Sequence, residues 1–396
     1  MAKGRARKCE ILVINNIAQV GLKRFPLEHY SLVKEASDPQ AILVRSQDLH
    51  KYEFGPSLRA VGRAGAGVNN IPVAALSKRG VPVFNAPGAN ANAVKELVLA
   101  GMLIAARNLA PALDFVRQLK DEDLEAKVED GKKQFAGCEL PGHTLGVIGL
   151  GKIGSLVADA AIRLGMNVQG YDPHITVEAA WSLPSQVKRA ASIDELIRSS
   201  HFVSLHVPLG EKTRNLINGR NVEYFRSGAV LLNFSREGIV AEDAVLKGLK
   251  AHHLRWYVTD FPTGELLGHP GVIALPHLGA STREAEDNCA IMVSDQVRDY
   301  LEHGNLQNAV NFPEAVMPRE APYRLAIANA NVPDMLGSIS HALGRRKINI
   351  HNMLNKSRGE MAYTLVDADS PVPVEVTREL AGLNGVLSVR YLPADA

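Results

Sequence analysis

The segment TLGVIGLGKIGSLVADAAIRLGMNVQGYD (144–172) constrains the fold more than any other part of the chain. An apolar run leads into Gly149, Gly151 and Gly154, spaced GxGxxG; an Ala/Leu/Ile-rich stretch, Gly165 and a second apolar run ending at Asp172 follow. The glycines alone are a weak signal, but a strand before them and a helix after them strengthen it greatly. Glycine is needed for the tight turn, for backbone approach to a pyrophosphate and for close helix packing. The helix start offers free amides and a partial positive charge to phosphates. Asp172 is placed to accept hydrogen bonds from ribose hydroxyls and to repel a 2′-phosphate. The pattern therefore predicts NAD rather than NADP. The bland alternative is a glycine-rich structural turn.

Apolar runs recur from 143 to 281 with helical patterns between them: 144–149, 167–171, 202–207, 229–234, 254–259 and 272–276. That alternation predicts a doubly wound parallel sheet, a Rossmann-type α/β unit. Upstream, 10–18, 41–45, 59–71 and 81–87 suggest a smaller α/β unit, and 91–107 a long buried helix. The charged stretch 120–134 reads as an exposed connection. A helical pattern over 282–302 is followed by NFPEAVMPREAP (311–322), whose prolines mark a linker. The tail from 323 runs strand, helix, strand, strand, helix, strand, the ferredoxin-like βαββαβ order. Its helices should cover one sheet face and leave the other face or an edge for a partner subunit.

The chain carries 44 Lys and Arg against 42 Asp and Glu, a net charge of +2. That balance argues against a phosphate-tracking nucleic-acid surface. The basic opening, with Lys3, Arg5, Arg7 and Lys8, reads as a solvated tail. No uninterrupted apolar run of 18 residues exists, so no membrane span is expected. Three scattered cysteines, Cys9, Cys138 and Cys289, predict a reduced, cytoplasmic setting with neither disulfides nor a thiolate metal site. No metal is expected.

Arg236, Glu265 and His277 follow later apolar runs, near the strand ends where ligands meet such a sheet. Together they suit oxidation of a 2-hydroxy acid. Arg236 would clamp the carboxylate. His277 would take the hydroxyl proton, and Glu265 would orient its imidazole and stabilise the protonated form. Taken singly, each has an ordinary structural explanation: a helix-start surface arginine, a loop acid and an interior histidine.

With these residues in place, the chain resembles the phosphoglycerate-oxidising branch of the D-isomer-specific 2-hydroxyacid dehydrogenase family, with a C-terminal ACT domain. The resemblance rests on GRAGAGVNNI (62–71), NAPGANANAVKELV (85–98), GLGKIG (149–154), LLNFSREGIV (231–240), DFPTGELL (260–267) and PHLGAST (276–282). It implies a flavodoxin-like discontinuous substrate domain (1–88 and 282–308) around an NAD domain (89–281), a linker (309–322) and the ACT domain (323–396). It implies catalysis by Arg236, Glu265 and His277. It also implies NAD contacts at Gly149, Gly151, Lys152, Ile153, Gly154, Asp172, Phe234, Ser235, Arg236, Asp260, His277, Gly279 and Ala280. Substrate contacts are implied at Arg45, Ser46, Gly65, Ala66, Gly67 and Asn90, and serine contacts at Asn329, Asn331 and Asn349.

The implied reaction is NAD-dependent oxidation of 3-phospho-D-glycerate to 3-phosphohydroxypyruvate, the first step of L-serine synthesis, in a homodimer or homotetramer. A glyoxylate, hydroxypyruvate or D-lactate reductase would share the same catalytic set, and an NAD-sensing corepressor is the non-enzymatic alternative. Ala66 and Asn69 depart from many relatives, Asn92 stands where some have an Arg, with Lys95 a substitute charge, and Gly264 is interposed between the FPT turn and Glu265.

Overall fold

The computed structural model describes residues 8–120 and 122–393, so Lys3, Arg5 and Arg7 lie outside the described residues. It divides into two compact units: Met1–Asn90 with Arg283–Ala396, and Ala91–Thr282.

The first unit opens with β1 (Cys9–Val13), α1 (Gln19–Leu22), β2 (Tyr30–Val33), β3 (Ala41–Val44), β4 (Ala60–Arg63), α2 (Val73–Lys78) and β5 (Val83–Phe84). Its sheet is parallel, in the flavodoxin-like order β2-β1-β3-β4-β5. All four residues of β3 are buried, as a central parallel strand requires.

The second unit begins with three helices, α3 (Ala91–Ala106), α4 (Leu109–Gln118) and α5 (Leu124–Gly131). The charged stretch expected to be a connection thus contains a helix. It buries none of its residues, and its apolar face is only the pair Leu124 and Val128, too short to stand out in a charged stretch. There follow β6 (Thr144–Ile148), α6 (Lys152–Arg163), β7 (Asn167–Tyr171), α7 (Val177–Trp181), β8 (Lys188–Arg189), α8 (Ile193–Ser199) and β9 (Phe202–Leu205). The unit closes with β10 (Ala229–Asn233), α9 (Glu242–Lys250), β11 (Leu254–Thr259) and β12 (Val272–Ala274). The parallel sheet runs β12-β11-β10-β9-β6-β7-β8, so its strand order reverses at β6 and β9. The GxGxxG turn leaves β6 at that reversal, the crevice where such sheets bind ligands.

The chain returns to the first unit as α10 (Arg283–His303). Gly62 in β4 lets this helix approach closely, because a Cβ there would lie 2.8 Å from methyls of Val293 and Val297. The tail comprises β13 (Tyr323–Ala330), α11 (Met335–Arg345), β14 (Ile350–Arg358), β15 (Met361–Ala368), α12 (Val374–Ala381) and β16 (Val386–Pro393). Its antiparallel sheet has the ferredoxin-like order β14-β15-β13-β16.

Leu325, Ile327, Val366 and Ala368 pack beneath the two tail helices. The opposite face is not left for a partner. Ala326, Ala328, Tyr363 and Leu365 share one core with Phe84, Tyr300 and Phe312. Small residues on β13 allow that close approach, and polar bonds seal it. Arg324 and Asp367 are wholly buried and bonded twice, at 2.6 and 2.8 Å. Arg324 also donates to the carbonyls of His303, Met317 and Pro318, and the Tyr363 hydroxyl donates to the Gly304 carbonyl. The Pro-marked passage read as a linker is correspondingly packed: Phe312, Ala315 and Met317 are buried in it.

Candidate active site

The three glycines of the 149–154 turn meet different surroundings. Gly149 has φ +90°, and a Cβ there would lie 2.5 Å from the His206 carbonyl oxygen. At Gly154 a Cβ would lie 1.9 Å from the carbonyl oxygen of Gly149. Any side chain at either position forces the turn open. Gly151, which precedes α6, has nothing within 4 Å of its Cβ position. Two glycines hold the turn tight and the third leaves open space at a helix N-terminus, the arrangement a dinucleotide pyrophosphate needs. Asp172 backs the turn: its carboxylate accepts the Leu150 and His174 amides, each at 2.9 Å. Those two bonds fix its orientation and leave other lone pairs for ribose hydroxyls. Lys152 and Ile153 open α6, Lys152 exposed and Ile153 half-buried.

Arg236 and His277 stand on two neighbouring turns of this unit. Arg236 follows β10 and is half-buried; its guanidinium donates to the Ser235 carbonyl at 2.6 Å. Phe234 is buried, and its ring lies against Gly101 of α3, so it offers a ligand only its backbone. Ser235 is likewise turned inward, its hydroxyl donating to the Leu205 carbonyl at 2.7 Å.

His277 has a left-handed backbone, φ +54°, which a non-glycine residue holds only when its surroundings impose it. Asp260 imposes it. Its carbonyl accepts the His277 amide at 3.1 Å, and its carboxylate accepts the Leu278 and Gly279 amides at 2.7 and 2.8 Å. Asp260 is therefore an organiser of this turn, buried to 1% exposure, whatever else it touches. Gly279 is buried close above it and Ala280 is half-buried. The His277 ring is exposed and tilts against Phe261, with centroids 5.0 Å apart. Among the described residues no hydrogen bond joins Glu265 to His277. Glu265 is exposed in the 260–267 loop, beside Gly264, whose surroundings are open.

A family model described as the D-isomer specific 2-hydroxyacid dehydrogenase NAD binding domain matches residues 99–279. The chain is 31% identical to an Escherichia coli (strain K12) protein named D-3-phosphoglycerate dehydrogenase, over 97% of this chain and 98% of the relative. The chain belongs to the D-isomer specific 2-hydroxyacid dehydrogenase family. A Methanocaldococcus jannaschii D-3-phosphoglycerate dehydrogenase is 36% identical over 78% of this chain, which spans 58% of that relative's length. Among relatives of that longer kind, the chain spans little more than half their length. An NAD+-bound Entamoeba histolytica 3-phosphoglycerate dehydrogenase superposes with a TM-score of 0.61 at 26% identity, covering 77% of this chain and 99% of that one.

The residues that family resemblance assigns to substrate lie in the first unit. The Arg45 guanidinium pairs with Glu286 at 2.7 Å, while its carbonyl accepts bonds from Arg63 and Asn70. Ser46 is exposed, its amide held by the Asn15 side chain. In the 65–67 turn, the Gly65 carbonyl takes the Ala86 amide and the Ala66 carbonyl takes the Asn85 side chain. Among the described residues the Ala66 and Gly67 amides have no hydrogen-bond partner within the chain. Arg63 is a residue that sequence reasoning missed. A Cβ at Gly65 would lie 2.1 Å from its guanidinium, so the turn is built against a cation. Its place inside the GRAGAG motif was the available signal. Asn90 is half-buried in the loop just before α3.

The three tail asparagines of this family member do not meet. Asn329 is buried at 1% exposure and donates to the Ala330 carbonyl. Asn331 donates to the Gly359 carbonyl, whereas Asn349 donates to the Asp369 carboxylate at 2.6 Å. Ala330 pairs with Met361 and Tyr323 with Ala368, so Asn331 and Asn349 sit at opposite ends of the sheet. Seven rungs separate the ends, about 24 Å. Among the described residues no group of three or more metal-ligating side chains is found, and no single helix is long and apolar enough to cross a membrane.

Proposed function

We propose that the chain oxidises 3-phospho-D-glycerate to 3-phosphohydroxypyruvate with NAD, the first step of L-serine synthesis, in the cytoplasm. The observation that carries this reading is an open GxGxxG turn in the same unit as Arg236, Glu265 and His277, whose side chains are largely uncommitted while the turns bearing Arg236 and His277 are tightly bonded. Relatives that are named for this activity support the choice of substrate.

NAD, held by the 149–154 turn and Asp172, supplies the hydride acceptor. The chain's own groups do the rest. Arg236 clamps the substrate carboxylate through two parallel N–H bonds. His277 accepts the C2 hydroxyl proton and returns it in the reverse direction. Glu265 pairs with the imidazolium in the substrate complex, where such bonds tighten. The Ala66 and Gly67 amides and Asn90 bind substrate oxygens, and Arg45 exchanges Glu286 for the phosphate, assisted by Arg63 and Ser46. Leu103 on α3, Leu113 and Val116 on α4, and Leu124 and Val128 on α5 are exposed, and a second copy of the chain covers them. Serine, if it binds the tail, touches Asn331 of one copy and Asn349 of another.

The Arg45–Glu286 pair favours one competing reading. An arginine already neutralised suits an unphosphorylated acid such as D-lactate or hydroxypyruvate. NADH formation measured in parallel with 3-phospho-D-glycerate, D-glycerate, D-lactate and 2-hydroxyglutarate separates the two. The phosphorylated acid should give the highest kcat/KM. Preference for an unphosphorylated acid overturns the substrate assignment, and NADH binding without turnover on any acid turns the reading toward an NAD sensor.

A further inference from the structure

Asn233, the last residue of β10, is buried at 1% exposure, and every polar group of its side chain is used. Its Oδ1 accepts the Ser235 amide at 3.2 Å. Its Nδ2 donates to the Arg236 carbonyl at 3.0 Å and to the Tyr257 hydroxyl at 3.3 Å. The side chain thus closes a ring around the turn that presents Arg236. Its main chain reaches the other turn, because the Asn233 carbonyl accepts the Asp260 amide at 3.2 Å, and Asp260 in turn holds His277, Leu278 and Gly279. Tyr257 and Thr259, on the adjacent strand β11, are both buried.

We propose that Asn233 is the positioning residue for Arg236, its carboxamide setting the direction of the guanidinium and its carbonyl tying that turn to the one bearing His277. The inference rests on the catalytic reading above. A carboxylate clamp is sensitive to such a device, because two parallel N–H bonds need the guanidinium plane within a few tenths of an ångström. A buried amide with both donors and its acceptor engaged has a single orientation, so it hands that orientation to the turn. Tyr257 supports the amide from behind.

Replacing the side chain leaves the carbonyl in place, so the two catalytic turns respond differently. Asn233→Ala should raise KM for the hydroxy acid at least 10-fold. It should also weaken oxamate, an isostere of a 2-oxo acid, to the same extent in its complex with the enzyme and NADH. The Kd of NADH and the pH dependence of kcat, which reports His277, should stay within about twofold of wild type. Asn233→Asp keeps the acceptor for the Ser235 amide but loses both donors, and should show the same loss.

Oxamate binding is read by quenching of NADH fluorescence in wild type, Asn233→Ala, Asn233→Asp and Tyr257→Phe, with thermal unfolding of each. Unchanged oxamate affinity in a cooperatively folded Asn233→Ala overturns the proposal, as does a uniform loss that includes NADH. Where Asn233→Ala does not fold, Tyr257→Phe decides: about a threefold loss of oxamate affinity supports the proposal, and none overturns it. Wild-type enzyme that binds NADH but not oxamate contradicts the catalytic reading itself, and the proposal falls with it.

Discussion

Arg236 and Arg324 are both arginines on sheet strands or just beyond their ends, yet they are used in opposite ways. Arg324 is wholly buried and satisfied within the chain by Asp367 and three carbonyls. Arg236 makes one short bond to its own turn, and its backbone is held by Asn233. The same contrast separates the tail from the cofactor unit as a whole. In the tail, the side chains of Asn329, Asn331 and Asn349 are spent on partners in the chain. In the cofactor unit, Asn233 and the Asp260 carboxylate are spent on holding the two turns, while among the described residues the His277 ring and the Glu265 carboxylate make no hydrogen bond within the chain. The difference is that the turns bearing Arg236 and His277 are bonded by neighbouring side chains, Asn233 and Asp260, rather than by the presented side chains alone.

Breaking the tail's arrangement should have the largest effect on stability. Arg324→Met leaves the buried Asp367 carboxylate without its counter-ion, with the Glu320 amide as its remaining donor, and should cost about 3–5 kcal/mol, with the double variant Arg324→Met/Asp367→Leu recovering most of it. Thermal unfolding of the set checks this, and additive losses would show that the two residues do not act as a pair. In the cofactor unit the matching change should spare the fold. Arg236→Lys loses the planar fork and should cost about 1.5–3 kcal/mol in kcat/KM for the acid, seen as a raised KM, with unfolding unchanged.

Replacing Asp172 sharpens the comparison at the cofactor. Asp172→Ser removes the carboxylate, should weaken NADH by about 1–2 kcal/mol and should narrow its advantage over NADPH. Equal losses for both nucleotides in titrations would break the ribose assignment. The smallest effect at neutral pH belongs to His206. Burial pushes its imidazole pKa down to about 3. An unfolded chain takes up that proton near pH 6.5, so the native state binds fewer protons between those values. Stability should fall as the pH drops from about 6.5 toward 3, with no contribution from this group above pH 7. His206→Gln should flatten that acid slope in denaturant titrations, and an unchanged slope would assign it elsewhere.

How much of this was legible follows from where the bonds lie. Strands such as β10, buried at all five positions, announce themselves as apolar runs, and the GxGxxG turn carries its own spacing. The short edge strand β8, Lys188–Arg189, is exposed and polar, and β2 ends against the polar loop at Lys34, so neither was read. The side chains proposed for catalysis were legible because chemistry limits the residue types. Their supports were not. Nothing local says that the Asp260 carboxylate will cap amides at Leu278 and Gly279, or that Asn233 will turn back on Arg236. The tail's buried second face was missed for a similar reason, because Ala326 and Ala328 reveal a close approach only once α10 is present.

The most direct test of the account replaces the one ring that the His277 turn holds out. In His277→Ala, turnover should fall by about 10²–10⁴ while the Kd of NADH stays within about twofold, because the turn's backbone bonds to Asp260 survive. Near-wild-type turnover, or NADH binding lost together with activity, would contradict a free imidazole acting as acid and base on a pre-bonded turn.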